Sequence, residues 1–293
     1  MSNQEFPSMK PQHYAYVMKK LREVCDNYGL TECYLNDFNS TLSACESPES
    51  LRTFEWDSVK YSLPQTKQMD IERLVSEHPE CKGFYNIGNS YRLEPNPVQN
   101  RHKDIFCIAD IELQGDLEEL MKFQKQILLG LGIKPFHGDD FPQIDYLDAC
   151  KKYGVDEIGH DEEIRLCQDF NSPAVFLCKF PLSTSPFFNM EIEGDVALKI
   201  DVIIGNPNGG QPMETFGSAQ RSCDPDHMRK MFYTISNGQY AQALYNEFGK
   251  ERIDKELEEY LSLKFIPRSG MGIGMNRLVF ACETLGLFDH LDQ

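Results

Sequence analysis

The 293-residue chain is 41% hydrophobic and 26% charged, and 46 acidic against 29 basic residues give a formal charge of −17. That balance excludes a broad nucleic-acid surface, which needs clustered Lys and Arg, but leaves room for a local basic pocket around a small anion. No apolar run is long enough for a bilayer span, the opening MSNQEFPSMKPQHY lacks the features of a secretory leader, and ten cysteines without a CxxC read as reduced thiols of a cytoplasmic protein.

Taken from the N-terminus, residues 11 to 28 predict an amphipathic helix. Tyr14, Val17, Met18, Leu21, Val24 and Cys25 recur at helical spacing, and Asn27-Tyr28-Gly29 supplies a stop. GFYNIGNSYRLE (83 to 94) and DIFCIADIEL (104 to 113) have strand character, followed by helices over 116 to 130 and 143 to 153. AVFLCKF (174 to 180) and LKIDVII (198 to 204) are further strands, and helices follow over 225 to 247, 250 to 262 and 275 to 285. Antiparallel-looking strand pairs with irregularly inserted helices predict an α+β fold, mainly an antiparallel β-sheet flanked by helices. No repeat, low-complexity tract or Ser/Gly linker divides the chain, so residues 1–293 read as a single domain.

Three stretches carry chemistry. In YRLEPNPVQNRHKDIFCIADIEL (91 to 113), period-two geometry puts Arg92 and Glu94 on one face of the first strand. Pro95-Asn96-Pro97 ends that strand, a polar loop carries Arg101 and His102, and Phe106, Ile108, Asp110 and Glu112 share a face of the second. Arg suits phosphate oxygens, a flat aromatic suits a purine, and Asp suits an ammonium group. An ordinary hairpin with an exposed, salt-bridged face fits the same residues.

In LKIDVIIGNPNGGQPMETFGSAQRSCD (198 to 224), Asp201 interrupts a β-branched run on the face opposite Ile200, Val202 and Ile204, and Glu214 follows the GNPNGG turn. An Asp and a Glu on adjacent strands suit Mg²⁺ bound to nucleotide phosphates. The alternatives are that Asp201 pairs Lys199 or Lys179 and that Glu214 is a loop-edge charge. In SGMGIGMNRLVFA (269 to 281), Gly270, Gly272 and Gly274 bare one face of a strand, for a flat ligand or for tight packing. Arg277 then falls on the first turn of the following helix. Walker, Rossmann, HExxH and GxSxG patterns do not occur.

Together these segments resemble the catalytic core of class II aminoacyl-tRNA synthetases, specifically the aspartyl/asparaginyl branch. YRLE (91 to 94) with RHKDIF (101 to 106) resembles that family's second signature motif, and GMGIGMNRL (270 to 278) its third. SPESLRTF (47 to 54) is similar to the loop that closes over the amino acid, and YSLPQTKQMDIE (61 to 72) to the strand-to-helix segment that contacts it. FPLSTSPFFNM (180 to 190) and ETFGSAQR (214 to 221) follow in the expected order.

The resemblance implies ATP and Mg²⁺, and it implies roles. Arg92 would bind the α-phosphate; Glu94 would touch the adenine end and Phe106 would stack on the base, with Gly272 and Gly274 as its floor. His102 and Arg277 would hold the γ-phosphate side, while Asp201 and Glu214 would carry Mg²⁺. Glu49, Gln68 and Asp110 would surround the substrate ammonium, and Arg221 would read a carboxylate or amide oxygen. A homodimer is implied as well, although ECYLNDFNS (32 to 40) has Asn36 and Asp37 around the place of the family's first-motif proline.

Other departures shape the functional expectation. Ile71 stands where aspartyl-tRNA synthetases carry a lysine against the side-chain carboxylate, while QMDIE and GSAQR look like the asparaginyl branch. Ile105 replaces the usual acidic residue before Phe106. The short stretch ahead of the core leaves no room for an anticodon-binding domain, which, with the net charge, argues against tRNA as a partner. In this the chain resembles the free-standing, ammonia-dependent asparagine synthetases, whose longer Asn-Pro connection between metal carboxylates is similar to Asp201–Asn206-Pro207–Glu214. The expected activity is an AMP-forming ligase that activates aspartate as an acyl-adenylate and transfers it to ammonia, giving asparagine. The alternative is a truncated aspartyl/asparaginyl-tRNA synthetase relative that activates aspartate or asparagine for another acceptor, which Ile71 and Gln220 favour. A non-catalytic ligand sensor is the third reading, and the retained arginines and metal carboxylates count against it.

Overall fold

The computed structural model describes residues 9–37, 41–42, 50–93, 97, 101 and 103–291. Helix α1 (Pro11–Tyr28) has Pro in its first turn and ends where Gly29 takes φ 90°, a left-handed conformation that a Cβ disfavours. Strand β1 (Thr31–Glu32) precedes a hairpin of β2 (Thr53–Trp56) and β3 (Val59–Ser62). Its turn residues Asp57 and Ser58 both have positive φ, matching the twist of the strands they join. There follow α2 (Gln68–Glu77), β4 (Gly83–Tyr91), β5 (Ile105–Gln114), α3 (Leu117–Gly130), β6 (Gln143–Asp145), α4 (Tyr146–Tyr153) and α5 (His160–Phe170). Then come β7 (Ala174–Pro181), β8 (Ile192–Glu193), β9 (Val196–Ile204), β10 (Met213–Arg221), α6 (Pro225–Thr234), α7 (Gln239–Phe248), α8 (Lys250–Leu261), β11 (Arg268–Gly274) and α9 (Met275–Thr284).

The main sheet runs β1-β4-β5-β11-β10-β9-β7-β6, with β8 paired to β9. It is antiparallel from β4 to β7 and parallel only where β1 joins β4 and β6 joins β7. This is the α+β architecture that the strand pairs predict. The single helix expected over 225 to 247 is two, because Ser236 and Asn237 take left-handed φ of 51° and 57° between α6 and α7. The expected helix over 143 to 153 opens with the edge strand β6. Helix α5 and strand β2 lie where no element was expected, whereas the strand-to-helix segment implied over 61 to 72 corresponds to the end of β3 and the start of α2.

Alternation along each strand sorts the side chains onto two faces. Ala109, Ile111 and Leu113 of β5, Ile200, Val202 and Ile204 of β9 and Ile273 of β11 form the principal core with α1, α3 and α9. The opposite face is divided among smaller clusters. Ile71 and Val75 of α2 pack on Phe84 of β4; α6, α7 and α8 form a second cluster; α4 and α5 cover Val175, Leu177 and Ile203. Between them a trough over β5, β11, β10 and β9 is left open to polar side chains. No helix among the described residues is long and apolar enough to cross a membrane.

Candidate active site

The trough is a cavity of about 390 Å³. It gathers Gln68, Arg92, Phe106, Asp110, Asp201, Glu214, Arg221, Gly272, Gly274 and Arg277, all named from the sequence and drawn from widely separated segments. Glu49, Glu94 and His102 lie outside the described residues.

Strand register explains the glycines. Gly270, Gly272 and Gly274 stand opposite Glu112, Asp110 and Ile108. A Cβ on Gly270 would fall 2.0 Å from the Glu112 carboxyl carbon, so this glycine makes space for a buried acid. A Cβ on Gly272 would lie 3.1 Å from Ile108 and 3.6 Å from Asp110 Oδ1. Gly272 and Gly274 line the cavity. Both sequence readings therefore apply, tight packing at the first glycine and an open floor at the others.

One end of the cavity concentrates cations. The Arg92 Nε is buried and has no hydrogen-bond partner among the described residues, and its guanidinium carbon lies 5.8 Å from the Phe106 ring centroid. Arg277 donates from Nη1 to the Glu214 carbonyl (2.7 Å) and to Glu214 Oε2 (2.5 Å). Lys199 Nζ is 3.3 Å from Asp201 Oδ2, whereas Lys179 pairs with Asp145. A bulge between Glu214 and Phe216 adds a residue to β10 and lets Glu214 enter the cavity beside the Gly217–Asp201 pair. A Cβ on Gly217 would lie 3.1 Å from Glu214 Oε1 and 3.8 Å from Asp201 Oδ1. Two carboxylates thus converge over bare backbone, a cradle of hard oxygen donors that fits Mg²⁺ shared with phosphate oxygens and water. Burial raises the Glu214 carboxyl, but Arg277, then Arg101 and Lys199, outweigh it and hold the group below its usual range.

At the other end the charges are buried. Asp110 accepts from Thr66 Oγ1 (2.6 Å) and from the Lys67 backbone N–H (2.8 Å) just before α2; burial raises its carboxyl despite those bonds. Gln68 Nε2 donates to Glu72 Oε1 (2.7 Å). Below them Arg221 Nη2 donates to Glu112 Oε1 (2.7 Å), and Arg268 donates from Nε and Nη2 to Glu72 Oε2 (2.9 and 2.6 Å). Tyr260 and Asn189 also donate to Glu72. Burial alone would raise Glu72, but Arg268 and Arg221 prevail and keep it ionised. Glu112 is pushed up to about 8 by burial, against the pull of Arg221 and with the charge of Glu72 adding to the rise. With Glu72 anionic, Arg221 and Arg268 cationic and Glu112 protonated, the cluster carries one surplus positive charge. It suits an anionic group.

Glu72, Glu112, Arg268, Glu163 and Lys199 were not assigned roles from the sequence. Glu112 continues the Phe106–Asp110 face, Glu72 lies one helical turn after Gln68, and Arg268 lies one period before Gly270, so periodicity marked each of these three. Two residues offered as markers of substrate choice point elsewhere. Ile71 is fully buried against Val75 and Phe84, and Gln220 turns to the opposite face, where its Oε1 accepts from Leu117 N (3.0 Å) at the start of α3.

The model of the family described as tRNA synthetases class II (D, K and N) matches residues 15–284. The aspartate–tRNA(Asp) ligase of Pyrobaculum aerophilum is 25% identical over 299 aligned positions, covering 92% of this chain and 63% of the relative. Asparaginyl-tRNA synthetase from Pyrococcus horikoshii, solved with asparaginyl-adenylate, superposes with a TM-score of 0.70 at 20% identity over 92% of this chain and 64% of its own. The Entamoeba histolytica asparaginyl-tRNA synthetase, also solved with asparaginyl-adenylate, gives 0.69 at 17% identity over 94% and 63%. At these identities the structural likeness is one of fold, and the chain spans a little under two thirds of each relative's length.

Proposed function

The chain belongs to the class II tRNA synthetases (D, K and N), and from that premise we propose that it activates aspartate with ATP and passes the acyl group to ammonia, without tRNA. A carboxylate oxygen of aspartate attacks the α-phosphorus, the bond to the bridging oxygen breaks, and pyrophosphate leaves. Ammonia then attacks the acyl carbon, AMP departs, the amine loses one proton, and asparagine results. A homodimeric, cytoplasmic enzyme belongs to the same reading, and the −17 charge supports a small-molecule acceptor over a polyanionic one.

The observation that carries the proposal is the half-buried Arg92 guanidinium, whose buried Nε is left without a partner among the described residues and which lines the cavity. A buried donor left without a partner is costly, so the site is completed by an anion. Arg92 on the α-phosphate and Arg277 toward the γ-phosphate would spread the charge of the pentacovalent transition state. Phe106 and the bare edge at Gly272 and Gly274 supply a flat surface for adenine. Asp201 and Glu214 would hold Mg²⁺, which supplies charge neutralisation on the phosphates when bound. Asp110 and Gln68 would receive the substrate ammonium, and Arg221 the carboxylate that is not activated. Because asparagine is the β-amide, the β-carboxylate is the one activated and the α-carboxylate is the one that Arg221 would hold.

A second reading, activation of asparagine for a different acceptor, draws on the Arg221–Glu112 pair: with Glu112 ionised, it offers a carboxamide one donor and one acceptor. Ile71 and Gln220 lend that reading no support, since neither faces the cavity. Exchange of labelled pyrophosphate into ATP, run without tRNA, separates the two. Aspartate should drive it, and mass spectrometry should find asparagine and AMP when ammonium is added. Exchange driven by asparagine alone refutes the first reading.

A further inference from the structure

Helix α5 closes the cation-rich end of the cavity, and nothing in the mechanism above uses it. Glu163 in its first turn binds Arg101 with both carboxylate oxygens, Nη1 to Oε2 at 2.6 Å and Nη2 to Oε1 at 2.8 Å. The two side chains are 10% and 13% exposed. The same Glu163 Oε2 accepts from the Glu214 backbone N–H at 3.0 Å. Arg277 donates to the Glu214 carbonyl at 2.7 Å and reaches the Arg101 carbonyl at 3.4 Å. The contacts close a ring: Arg101 side chain, Glu163, Glu214 backbone, Arg277, Arg101 backbone. His160 adds a contact, its Nδ1 lying 2.9 Å from Arg101 Nη1, and since a guanidinium only donates, Nδ1 is the acceptor.

A carboxylate lining this end of the cavity, beyond the Asp201 and Glu214 pair already there, would repel a polyphosphate. That repulsion is offset if the acid orients a cation that the ligand uses. Arg101 sits between strands, outside regular structure, where a free guanidinium samples many rotamers. A bidentate carboxylate fixes both its direction and its plane.

We propose that Glu163 is a positioning residue for nucleotide binding, holding Arg101 against the β- and γ-phosphates of ATP and so favouring the triphosphate over AMP. The proposal rests on the ATP site described above. Calorimetric titration of the full chain with ATP and Mg²⁺ tests it, using wild type, E163Q, R101A and the double variant. Each single substitution should weaken ATP binding about tenfold, the scale of a lost charge-assisted contact. The double variant should lose no more than R101A alone, because Glu163 acts through Arg101. AMP should bind all four proteins alike, and E163D should recover part of the ATP affinity. Additive losses, wild-type ATP affinity in E163Q, or an equal loss of AMP binding would overturn the proposal. Wild-type exchange reports on the reaction separately: a chain that binds ATP but exchanges no pyrophosphate removes the reaction and leaves this test intact. A wild-type chain that binds no ATP overturns both.

Discussion

At the proposed amino-acid end of the cavity Arg268 and Glu72 are fully buried and Arg221 and Glu112 nearly so, whereas at the proposed nucleotide end Arg277 and Glu214 keep 20% and 28% of their side chains exposed. The first group is locked by several partners per charge, with Tyr260, Asn189 and Gln68 all bonded to Glu72. The second is held by pairs that water reaches and that a phosphate can replace. Buried pairs are costly to separate, while half-exposed ones exchange partners readily. Under the proposed function, one end would therefore be a fixed template for a small zwitterion. The other would be a set of cations and carboxylates free to redistribute around a flexible polyanion.

Breaking this contrast is simplest with one arginine from each end. Arg268→Met leaves Glu72 buried without its principal partner and should destabilise the chain by about 3–5 kcal/mol in urea unfolding. Arg277→Met removes a partly exposed pair and should cost less than about 1 kcal/mol, while pyrophosphate exchange falls on the order of 100-fold or more. Equal stability losses at the two positions would remove the distinction between template and rearranging end.

Glu112 sharpens the comparison through pH. Its carboxyl is raised from 4.5 to about 8, chiefly by burial. In the unfolded chain it ionises near 4.5, so between there and about 8 the unfolded state binds fewer protons and the fold loses stability as pH rises. Glu112→Gln should abolish that component of the loss. In the exchange assay, wild-type KM for aspartate should climb above pH 8, as the pocket gives up its surplus positive charge, and the glutamine variant should stay flat. Matching profiles would mean that Glu112 is ionised throughout, which favours a carboxamide over a carboxylate at Arg221.

Legibility in the sequence differed between these ends for a physical reason. Periodicity exposes residues that share a face with an apolar run, and so Asp110, Asp201 and the alternating glycines could be placed before their partners were known. Strand register cannot be read that way, so the pairing of Gly270 with Glu112 emerges only in three dimensions. Helix α5 was missed because HDEEIRLCQDF buries few apolar residues, chiefly Leu166 and Cys167; its acidic first turn, with Glu162 returning to the Gly159 N–H, was the available signal. Glu163 had no signal at all, since its role depends on where that helix docks. Resemblance to a family also misled where it assigned substrate choice to Ile71, because a match in linear order does not say which way a helical side chain points.

The smallest effects bear on that last point. Ile71 packs with Val75 and Phe84 beneath α2, so Ile71→Val should cost about 0.5–1.5 kcal/mol of stability through one lost methylene. Gln220→Ala removes an acceptor from the Leu117 N–H at the start of α3, on the face away from the cavity, and should cost about 1 kcal/mol. Neither change touches Arg221, the proposed reader of the substrate, so the ratio of exchange rates with aspartate and asparagine should hold within about threefold, less than 1 kcal/mol of discrimination. A larger shift from either variant would show that selectivity is transmitted through the walls of α2 or α3. The buried Arg221–Glu112 pair would then be only part of the reader, and the amino-acid end less rigid than its burial implies.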